Sequence, residues 1–415
     1  MGESIKDAID SNKGISRSQR LWMAVILGTL AAFGPLSIDM YLPALPELAK
    51  DFHSNPSIIQ FSLTFFLLGL ASGQLFSGPL SDVYGRRKPL LIGLITYFVV
   101  SLLCVFSPTI WTFIILRLIQ GMAGSAGIVI SRAVVRDLYS GPELTKFFAL
   151  LALVNGLAPI LAPVVGAQFL KIVPWQGIFI VLSIIGLLMF IVVFFGLPET
   201  HPNEKRATGG LKNTFITFKN LILDRSFMGY ALVQGLVFSA MFAYISGSPF
   251  VVQNIYGGSA QMFSLIFAIN GIGIMIASQT TGRLAGRIHE AKLFVFGIGM
   301  SFLGGLVLLL LLVLHADLLF VMLPLFFVVA SVGVVNTAGF SLAMQKQGKS
   351  AGSASALLGV MSLSFGGLVA PLVGLGGEHT AIPMGIVISC AGGGAVLSYM
   401  LLVQKRSYQV KKEAI

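Results

Sequence analysis

The sequence predicts an all-α integral membrane protein with twelve transmembrane helices in two six-helix bundles. Of its 415 residues, 56% are hydrophobic and 10% are charged. A soluble domain carries about 25% charged residues, so this chain cannot cover its surface with groups that favour water. The apolar residues are gathered in long runs, and nearly all Lys and Arg lie between alternate runs. The surface of the protein must therefore face lipid.

Most of the runs are long enough to cross a bilayer as helices, which requires about 20 apolar residues. They lack the alternation that is typical of transmembrane strands. The first run is full length and follows a polar segment, so we interpret it as a retained span and not as a cleaved signal peptide. The twelve predicted spans are residues 21–44, 57–79, 90–107, 110–131, 147–170, 175–197, 226–250, 260–281, 293–314, 318–342, 350–374 and 381–403.

The positions of Lys and Arg predict the orientation. With residue 1 in the cytoplasm, 24 of the 27 basic residues lie on the cytoplasmic side. Only Lys50 and Lys171 lie on the other side, and Arg117 lies within a span. This bias predicts that both termini are cytoplasmic. The net charge of +11 is spread over seven inner segments, which indicates attraction to anionic lipid heads and no nucleic-acid partner.

A polar stretch divides the spans six and six. The predicted organisation is a cytoplasmic tail (1–20), a first bundle (21–197), a cytoplasmic linker (198–225), a second bundle (226–403) and a cytoplasmic tail (404–415). Two six-span halves predict a duplicated transporter with its site at the interface of the halves. A weak repeat supports the duplication: the loop Gly78–Arg87 after span 2 resembles Gly282–Arg287 after span 8, although the second copy lacks the Asp.

Two charged residues lie inside spans, Asp39 in span 1 and Arg117 in span 4. A charge at such a position costs about 2.5–3.5 kcal/mol on insertion scales, and it is usually paired and functional. At 1.5 Å per residue, both lie roughly 8–10 Å below the outer boundary. We expect an ion pair or a water-linked pair between them. It is either a static pair that joins spans 1 and 4 or a protonatable carboxylate that responds to a ligand.

The sequence contains no other candidate chemistry. The five His lie scattered in loops, Cys104 and Cys390 form no CxxC pair, and no phosphate-binding loop occurs. We therefore predict no enzymatic activity, no metal and no cofactor. Any transport must be driven by an ion gradient or by the gradient of the substrate itself.

Four segments resemble motifs of the major facilitator superfamily, and in particular of its bacterial drug:proton antiporters of the Bcr/CflA type, which confer bicyclomycin and chloramphenicol resistance. Residues 78–87 resemble the loop motif GxLxDxxGRR, and residues 117–121 resemble the RxxQG motif of the fourth span. Residues 155–166 resemble the antiporter motif of the fifth span, with Ala at some glycine positions. Residues 37–46 (SIDMYLPALP) are similar to the signature of the Bcr/CflA group.

The resemblance implies roles for these residues. Asp39 is the expected proton- and substrate-responsive carboxylate, and Arg117 is its partner. Asp82 is expected to meet the start of span 11 near Ser350, and Arg86 is expected to pair with Asp137. The implied cytoplasmic gate comprises Gly78, Asp82, Gly85, Arg86, Arg87 and Asp137. The implied antiporter motif comprises Gly156, Pro159, Pro163 and Gly166, which either bend span 5 or serve only its packing.

Spans 1, 4, 7 and 10 line the cavity in this superfamily, which gives eight candidate substrate-binding residues. They are Phe33, Met40, Tyr41, Gln120, Gln234, Phe238, Met241 and Asn336. A cavity rich in Phe and Met accepts varied apolar molecules because these side chains repack. The alternative for each of these residues is ordinary helix packing.

Together these features predict a monomeric, proton-coupled exporter of small amphiphilic drugs, phenicol- or bicyclomycin-like, in the bacterial cytoplasmic membrane. Its expected partners are a drug, protons and the lipid bilayer, and it works by alternating access. The first alternative is a proton-driven importer of a nutrient or metabolite on the same fold. The second is a membrane protein that senses a ligand and transports nothing.

Overall fold

The computed structural model describes residues 17–202, 210–345, 347, 351–377 and 379–404. These residues are nearly all helical, and the β pairing among them is an isolated bridge between Ala285 and Ile288. The predicted tails 1–20 and 404–415 and the predicted linker 198–225 lie partly outside the described residues, and Ser350 lies wholly outside them.

The helices follow one another in the order of the predicted spans. They are α1 (Arg17–Asp39), α2 (Leu45–Asp51), α3 (Pro56–Tyr84), α4 (Arg87–Val105), α5 (Ile110–Leu138), α6 (Gly141–Phe169), α7 (Gln176–Gly196), α8 (Gly210–Leu223), α9 (Arg225–Phe250), α10 (Ala260–Leu284), α11 (Glu290–Val313), α12 (Leu318–Met344), α13 (Ala351–Val373) and α14 (Ile382–Ser398). A π-helical turn extends α9 over Val251–Ile255, and another extends α14 over Tyr399–Gln404.

Within the described residues, eleven helices are long and apolar enough to cross a membrane. A bent pair, Leu21–Ala31 and Phe33–Asp51, makes a twelfth with an angle of 42°. Pro35 lies just after this bend, and it cannot donate the helical hydrogen bond to the carbonyl of Ala31. The twelve predicted spans therefore each match one helix or the bent pair, although α3, α5 and α6 extend beyond the predicted ends.

Helix α8 was not predicted, because its Lys and Asn residues made the segment resemble a polar linker. Its sequence nevertheless places Phe218 and Leu221 on one side at helical spacing. Leu221 is buried in a cluster with Phe227 and Ala231 of α9, and Phe218 packs against that cluster. The apolar side of α8 is thus stabilised by tertiary packing.

The described residues form two compact units. Unit 1 comprises those of Met1–Tyr41 and Leu68–Leu211, and unit 2 comprises those of Leu42–Leu67 and Lys212–Ile415. The first part of α3 thus groups with unit 2, whereas the predicted first bundle held the whole of span 2. In unit 2, α9 packs against α12, α13 and α14, and α12 also packs against α10 and α11.

In unit 1, α1 packs against α5 and α6, and α4 packs against α5 and α7. Two glycines bring the later part of α3 close to α5. A Cβ atom at Gly69 would overlap the main-chain oxygen of Leu118, and one at Gly73 would lie 2.7 Å from the oxygen of Met122. Close backbone approach at small residues is the usual way in which membrane helices associate. Helix α5, which carries Arg117, is therefore surrounded by other helices.

Candidate functional site

Arg117 lies in the third turn of α5 and is fully buried. Its guanidinium donates from Nη2 to the main-chain oxygen of Ser37 (2.9 Å) and from Nη1 to Oε1 of Gln120 (2.5 Å). Both acceptors are neutral. The planar fork of an arginine suits two acceptors held at fixed positions, and a lysine cannot reproduce this geometry. The contact therefore joins α5 to the last turns of α1.

Aromatic rings cover the rest of the Arg117 side chain. The guanidinium carbon lies 4.4 Å from the centre of the Tyr41 ring and 5.6 Å from the centre of the Phe179 ring. Phe179 in turn packs edge-on against Phe113 and Trp175. The faces of aromatic rings attract a cation, and the attraction is stronger where water is excluded. These rings and the neutral acceptors hold the buried positive charge.

Asp39 is the last residue of α1, and it is only 5% exposed. Arg117 binds the main chain two residues earlier, at Ser37. The expected ion pair or water-linked pair between Asp39 and Arg117 stays a prediction. Both residues lie in unit 1.

The helix that carries the antiporter motif touches α1 next to Asp39. A Cβ atom at Gly166 would overlap the main-chain oxygen of Met40. Pro159 and Pro163 lie inside the same helix, α6, and each removes one helical hydrogen bond. Gly156 lies on α6 as well, about one turn before Pro159. The motif thus lies on the helix that packs against the Asp39 end of α1.

Two polar side chains of α4 complete this cluster, and the sequence analysis did not identify them. Tyr97 is bonded through its hydroxyl to Oγ of Ser37 (2.6 Å), and Ser101 accepts a hydrogen bond from Nε2 of Gln120 (2.7 Å). Both are buried. Their spacing of one helical turn within an otherwise apolar run was the signal that could have identified them.

The four substrate candidates of the first half all lie in this cluster and are buried. Tyr41 lies against Arg117, and Gln120 binds Arg117. Phe33 packs edge-on against Tyr97, with ring centres 4.6 Å apart, and Met40 contacts Gly166. Two of the four residues therefore contact the arginine directly, and the other two pack against Tyr97 and Gly166.

The candidates of the second half lie in unit 2. Gln234 is 4% exposed, and its Nε2 has no hydrogen-bond partner among the described residues. Phe238 and Met241 pack against the buried cluster that contains Val233 and Val237. Asn336 is partly buried on α12. A buried amide donor without a partner is rare and calls for an explanation.

A second cluster lies between α3 and α4, at the loop that resembles the GxLxDxxGRR motif. Arg86 donates from Nε to Oδ2 of Asp137 (2.9 Å) and from Nη1 to Oγ of Ser81 (2.8 Å) and to Asp82. Burial lowers the pKa of Arg86, but its bonds to Asp137 and Asp82 outweigh burial, so the pKa lies above its ordinary value. Arg86 is therefore charged at any physiological pH.

The other residues of the predicted gate surround this cluster. Gly85 has a φ of 86°, a conformation that glycine adopts without strain. Arg87 donates to the main-chain oxygen of Phe194 and lies over its ring. Gly78 lies on α3, where a Cβ atom would make only ordinary contact with Val129. Within the described residues Asp82 binds Arg86, and its expected partner near Ser350 lies outside them.

Glu199 also belongs to this cluster, although the sequence analysis treated it as part of a linker. Its carboxylate accepts hydrogen bonds from the main-chain N–H groups of Arg86 (2.8 Å), Arg87 (3.2 Å) and His201 (3.0 Å). Thr200 donates to Asp137 (3.2 Å). A carboxylate at the start of a helix stabilises its free N–H groups and its dipole. The segment after α7 therefore caps the start of α4.

The weak sequence repeat has a structural counterpart in unit 2. Gly286, which follows α10, has a φ of 88°, almost the value of Gly85. Arg287 is exposed, and the second copy has no Asp at the position of Asp82. Among the described residues, no group of three or more His, Cys, Asp or Glu side chains is placed to hold a metal ion.

Comparison with known proteins agrees with the motifs. Residues 25–371 match the family model of the Major Facilitator Superfamily. The chain is 45% identical over 390 residues to "Uncharacterized MFS-type transporter YdgK" of Bacillus subtilis, covering 94% of this chain and 97% of the relative. It is 31% identical over 379 residues to "Bicyclomycin resistance protein homolog" of Haemophilus influenzae, covering 91% and 95%.

The fold is that of solved transporters. A partially occluded, inward-open structure of the xylose transporter XylE from E. coli aligns with a TM-score of 0.71 over 93% of this chain and 98% of that chain, at 14% identity. At this identity the similarity concerns the fold alone. The chain belongs to the Major Facilitator Superfamily, a family of multi-pass membrane transporters, and within it is related to the bicyclomycin-resistance proteins that its motifs resemble.

Proposed function

We propose that this transporter exports small amphiphilic drugs, phenicol- or bicyclomycin-like, in exchange for protons. The observation that supports this proposal most directly is the position of Asp39 and its burial. It is a buried carboxylate at the end of α1, two residues after the main-chain oxygen that Arg117 binds. Burial disfavours the charged form of a carboxylate, and a nearby cation favours it. Asp39 is therefore able to bind and release a proton as its surroundings change.

Alternating access turns this property into exchange. When the site faces outward, Asp39 takes a proton and the drug is released. When the site faces inward, drug capture favours loss of the proton to the cytoplasm. If the drug binds one protonation state of Asp39 better than the other, the drug flux and the proton flux are coupled.

The drug class is supported by the character of the candidate residues and by one relative. Tyr41, Phe33 and Met40 are buried apolar and aromatic side chains near the Asp39 end of α1, and Gln120 supplies an amide. Flexible Met and aromatic side chains suit ligands of varied shape. The printed name of the Haemophilus influenzae relative refers to resistance to bicyclomycin. In unit 2, the amide nitrogen of Gln234, which has no partner among the described residues, suits a ligand carbonyl or hydroxyl oxygen.

We further propose that the protein works as a monomer in the bacterial cytoplasmic membrane with both termini in the cytoplasm. The support for this orientation is the bias of basic residues, 24 of 27 on one side. No cofactor takes part in the proposed cycle, and protons are the coupling ion.

The test is drug uptake into inverted membrane vesicles under an imposed pH gradient, with chloramphenicol as the probe. Wild type is expected to accumulate the drug when the lumen is acidic, and Asp39→Asn is expected to lose the dependence on the gradient. Asp317→Asn, which changes an exposed carboxylate before α12, is the matched control.

Gradient-driven uptake by Asp39→Asn equal to that of wild type would refute proton coupling through Asp39. Chloramphenicol movement in the opposite direction would favour an importer.

A further inference from the structure

Tyr97 of α4 occupies a slot that is formed by two glycines of neighbouring helices. A Cβ atom at Gly186 of α7 would lie 2.9 Å from the Tyr97 ring, and one at Gly124 of α5 would lie 3.6 Å from it. The ring also packs edge-on against Phe33 of α1. Packing on three sides fixes the position of the hydroxyl, which is 60 residues away in sequence from the group it binds.

The direction of the hydrogen bond at this hydroxyl follows from counting protons. Ser37 has one hydroxyl proton, and its Oγ donates to the main-chain oxygen of Phe33 at 2.6 Å. At the 2.6 Å contact between Ser37 Oγ and Tyr97, the tyrosine must therefore be the donor. Tyr97 thus holds Ser37 through its side chain, while Arg117 holds the same residue through its main-chain oxygen.

Ser101 supports the other side of the arginine. Its Oγ accepts from Nε2 of Gln120, whose Oε1 accepts from Arg117. This bond fixes the amide orientation of Gln120, so that its oxygen faces the guanidinium. Tyr97 and Ser101 lie one turn apart on α4, and together they connect this helix to Ser37 and Gln120, which accept hydrogen bonds from Arg117.

The segment of α1 that contains Ser37 follows an interruption of the helix. The bend of 42° falls at residues 31–33, and Pro35 removes a helical hydrogen bond in the same turn. Asp39 lies at the end of this segment. Side-chain bonds to Ser37 therefore replace part of the support that the interrupted helix lacks.

We propose that Tyr97 and Ser101 are positioning residues for proton exchange at Asp39. This inference rests on the proposed function. By holding Ser37 and Gln120, they fix the distance between the Asp39 end of α1 and Arg117 and limit the water that reaches the carboxylate. Loosening this support admits water, which favours the charged carboxylate and moves proton release to lower pH.

Few other charges act on Asp39 from the helices packed against α1. Helix α5 carries Arg117, and its remaining charged residues lie in its last two turns. Helix α7 contains no charged residue, and those of α6 lie in its first two turns. A change in the pH dependence on altering α4 is therefore attributable to the position of the segment and not to another titrating group.

The experiment measures protons released when chloramphenicol is added to the purified full-length protein in weakly buffered solution with a pH-indicator dye, over a series of pH values. For Tyr97→Phe, which keeps the ring and removes the hydroxyl, we expect the midpoint of release to fall by about 0.5–1 pH unit, the effect of one lost hydrogen bond. Tyr230→Phe makes the same change against the core of unit 2 and is expected to leave the midpoint unchanged.

A double-mutant cycle distinguishes an effect of the hydrogen bond between Tyr97 and Ser37 from a general loss of packing in unit 1. Ser37→Ala and Tyr97→Phe remove the same bond, so the shift of the double variant is expected to be no larger than that of Ser37→Ala alone. Ser101→Ala provides an independent shift if Tyr97→Phe does not fold. If wild type releases protons and both α4 variants release them with the wild-type midpoint, the positioning role is wrong. If wild type releases none, the proposed function fails and this inference with it.

Discussion

Gly166 of α6 and Met40, the residue after Asp39, are in direct backbone contact. A Cβ atom at position 166 would overlap the main-chain oxygen of Met40, so only glycine permits the observed distance between α6 and the end of α1. The same helix contains Pro159 and Pro163. The motif that resembles the antiporter signature is thereby in contact with the residue that follows Asp39, the carboxylate that we propose exchanges protons.

The first prediction concerns this contact. Gly166→Ala is expected to push the end of α1 away from α6, to cost about 1–3 kcal/mol of stability as other overpacked sites do, and to reduce gradient-driven drug transport. Thermal melting in detergent and vesicle uptake measure the two effects. The control is Gly299→Ala on α11, where a Cβ atom would meet nothing within 4 Å. Equal melting temperatures and equal transport for the two variants would contradict the contact.

The second prediction concerns the geometry of Arg117. Because Ser37 and Gln120 are bound by two nitrogens of one planar group, Arg117→Lys keeps the charge but is expected to lose one of the two bonds. The loss of a hydrogen bond to a charged group corresponds to about 1.5–3 kcal/mol, or roughly a 10- to 150-fold fall in transport. Initial rates of uptake measure it. Arg283→Lys, an exposed change at the end of α10, is the control, and wild-type rates for Arg117→Lys would refute the two-point contact.

The third prediction concerns the cap at the start of α4. Glu199→Ala removes the acceptor of the Arg86 and Arg87 N–H groups and is expected to cost about 0.5–2 kcal/mol, whereas Glu199→Gln keeps an acceptor oxygen and loses less. Amide hydrogen exchange of the first turn of α4 should rise most in the alanine variant. An unchanged exchange rate in Glu199→Ala would mean that the cap does not stabilise the helix.

The parts of the site that the sequence predicted are those with an unusual charge. Asp39 and Arg117 were identifiable because a charge in a span is costly. Nothing in the sequence indicates that Arg117 binds the main-chain oxygen of Ser37 and the amide of Gln120, because these acceptors carry no charge.

Neutral and loop residues were missed for the opposite reason. Tyr97 and Ser101 lie in an apolar run that remains hydrophobic enough to span a membrane. Their role depends on hydrogen bonds to Ser37 and Gln120, which are close to them only in the folded chain. Glu199 lies three residues after the end of α7, in a polar segment where an acidic residue is ordinary. Helix α8 escaped prediction because its apolar side is short and is stabilised by contacts with α9.

The turns at Gly85 and Gly286 have the same backbone conformation, but among the described residues only the turn at Gly85 lies next to a cluster of ion pairs. At Gly85 a left-handed backbone accompanies a set of ion pairs, whereas at Gly286 the same backbone persists with no Asp at the corresponding position. Tolerance to replacement at position 286 therefore reports on chain geometry alone. The backbone turn that an ion-pair cluster would need is therefore already present in the second half at Gly286.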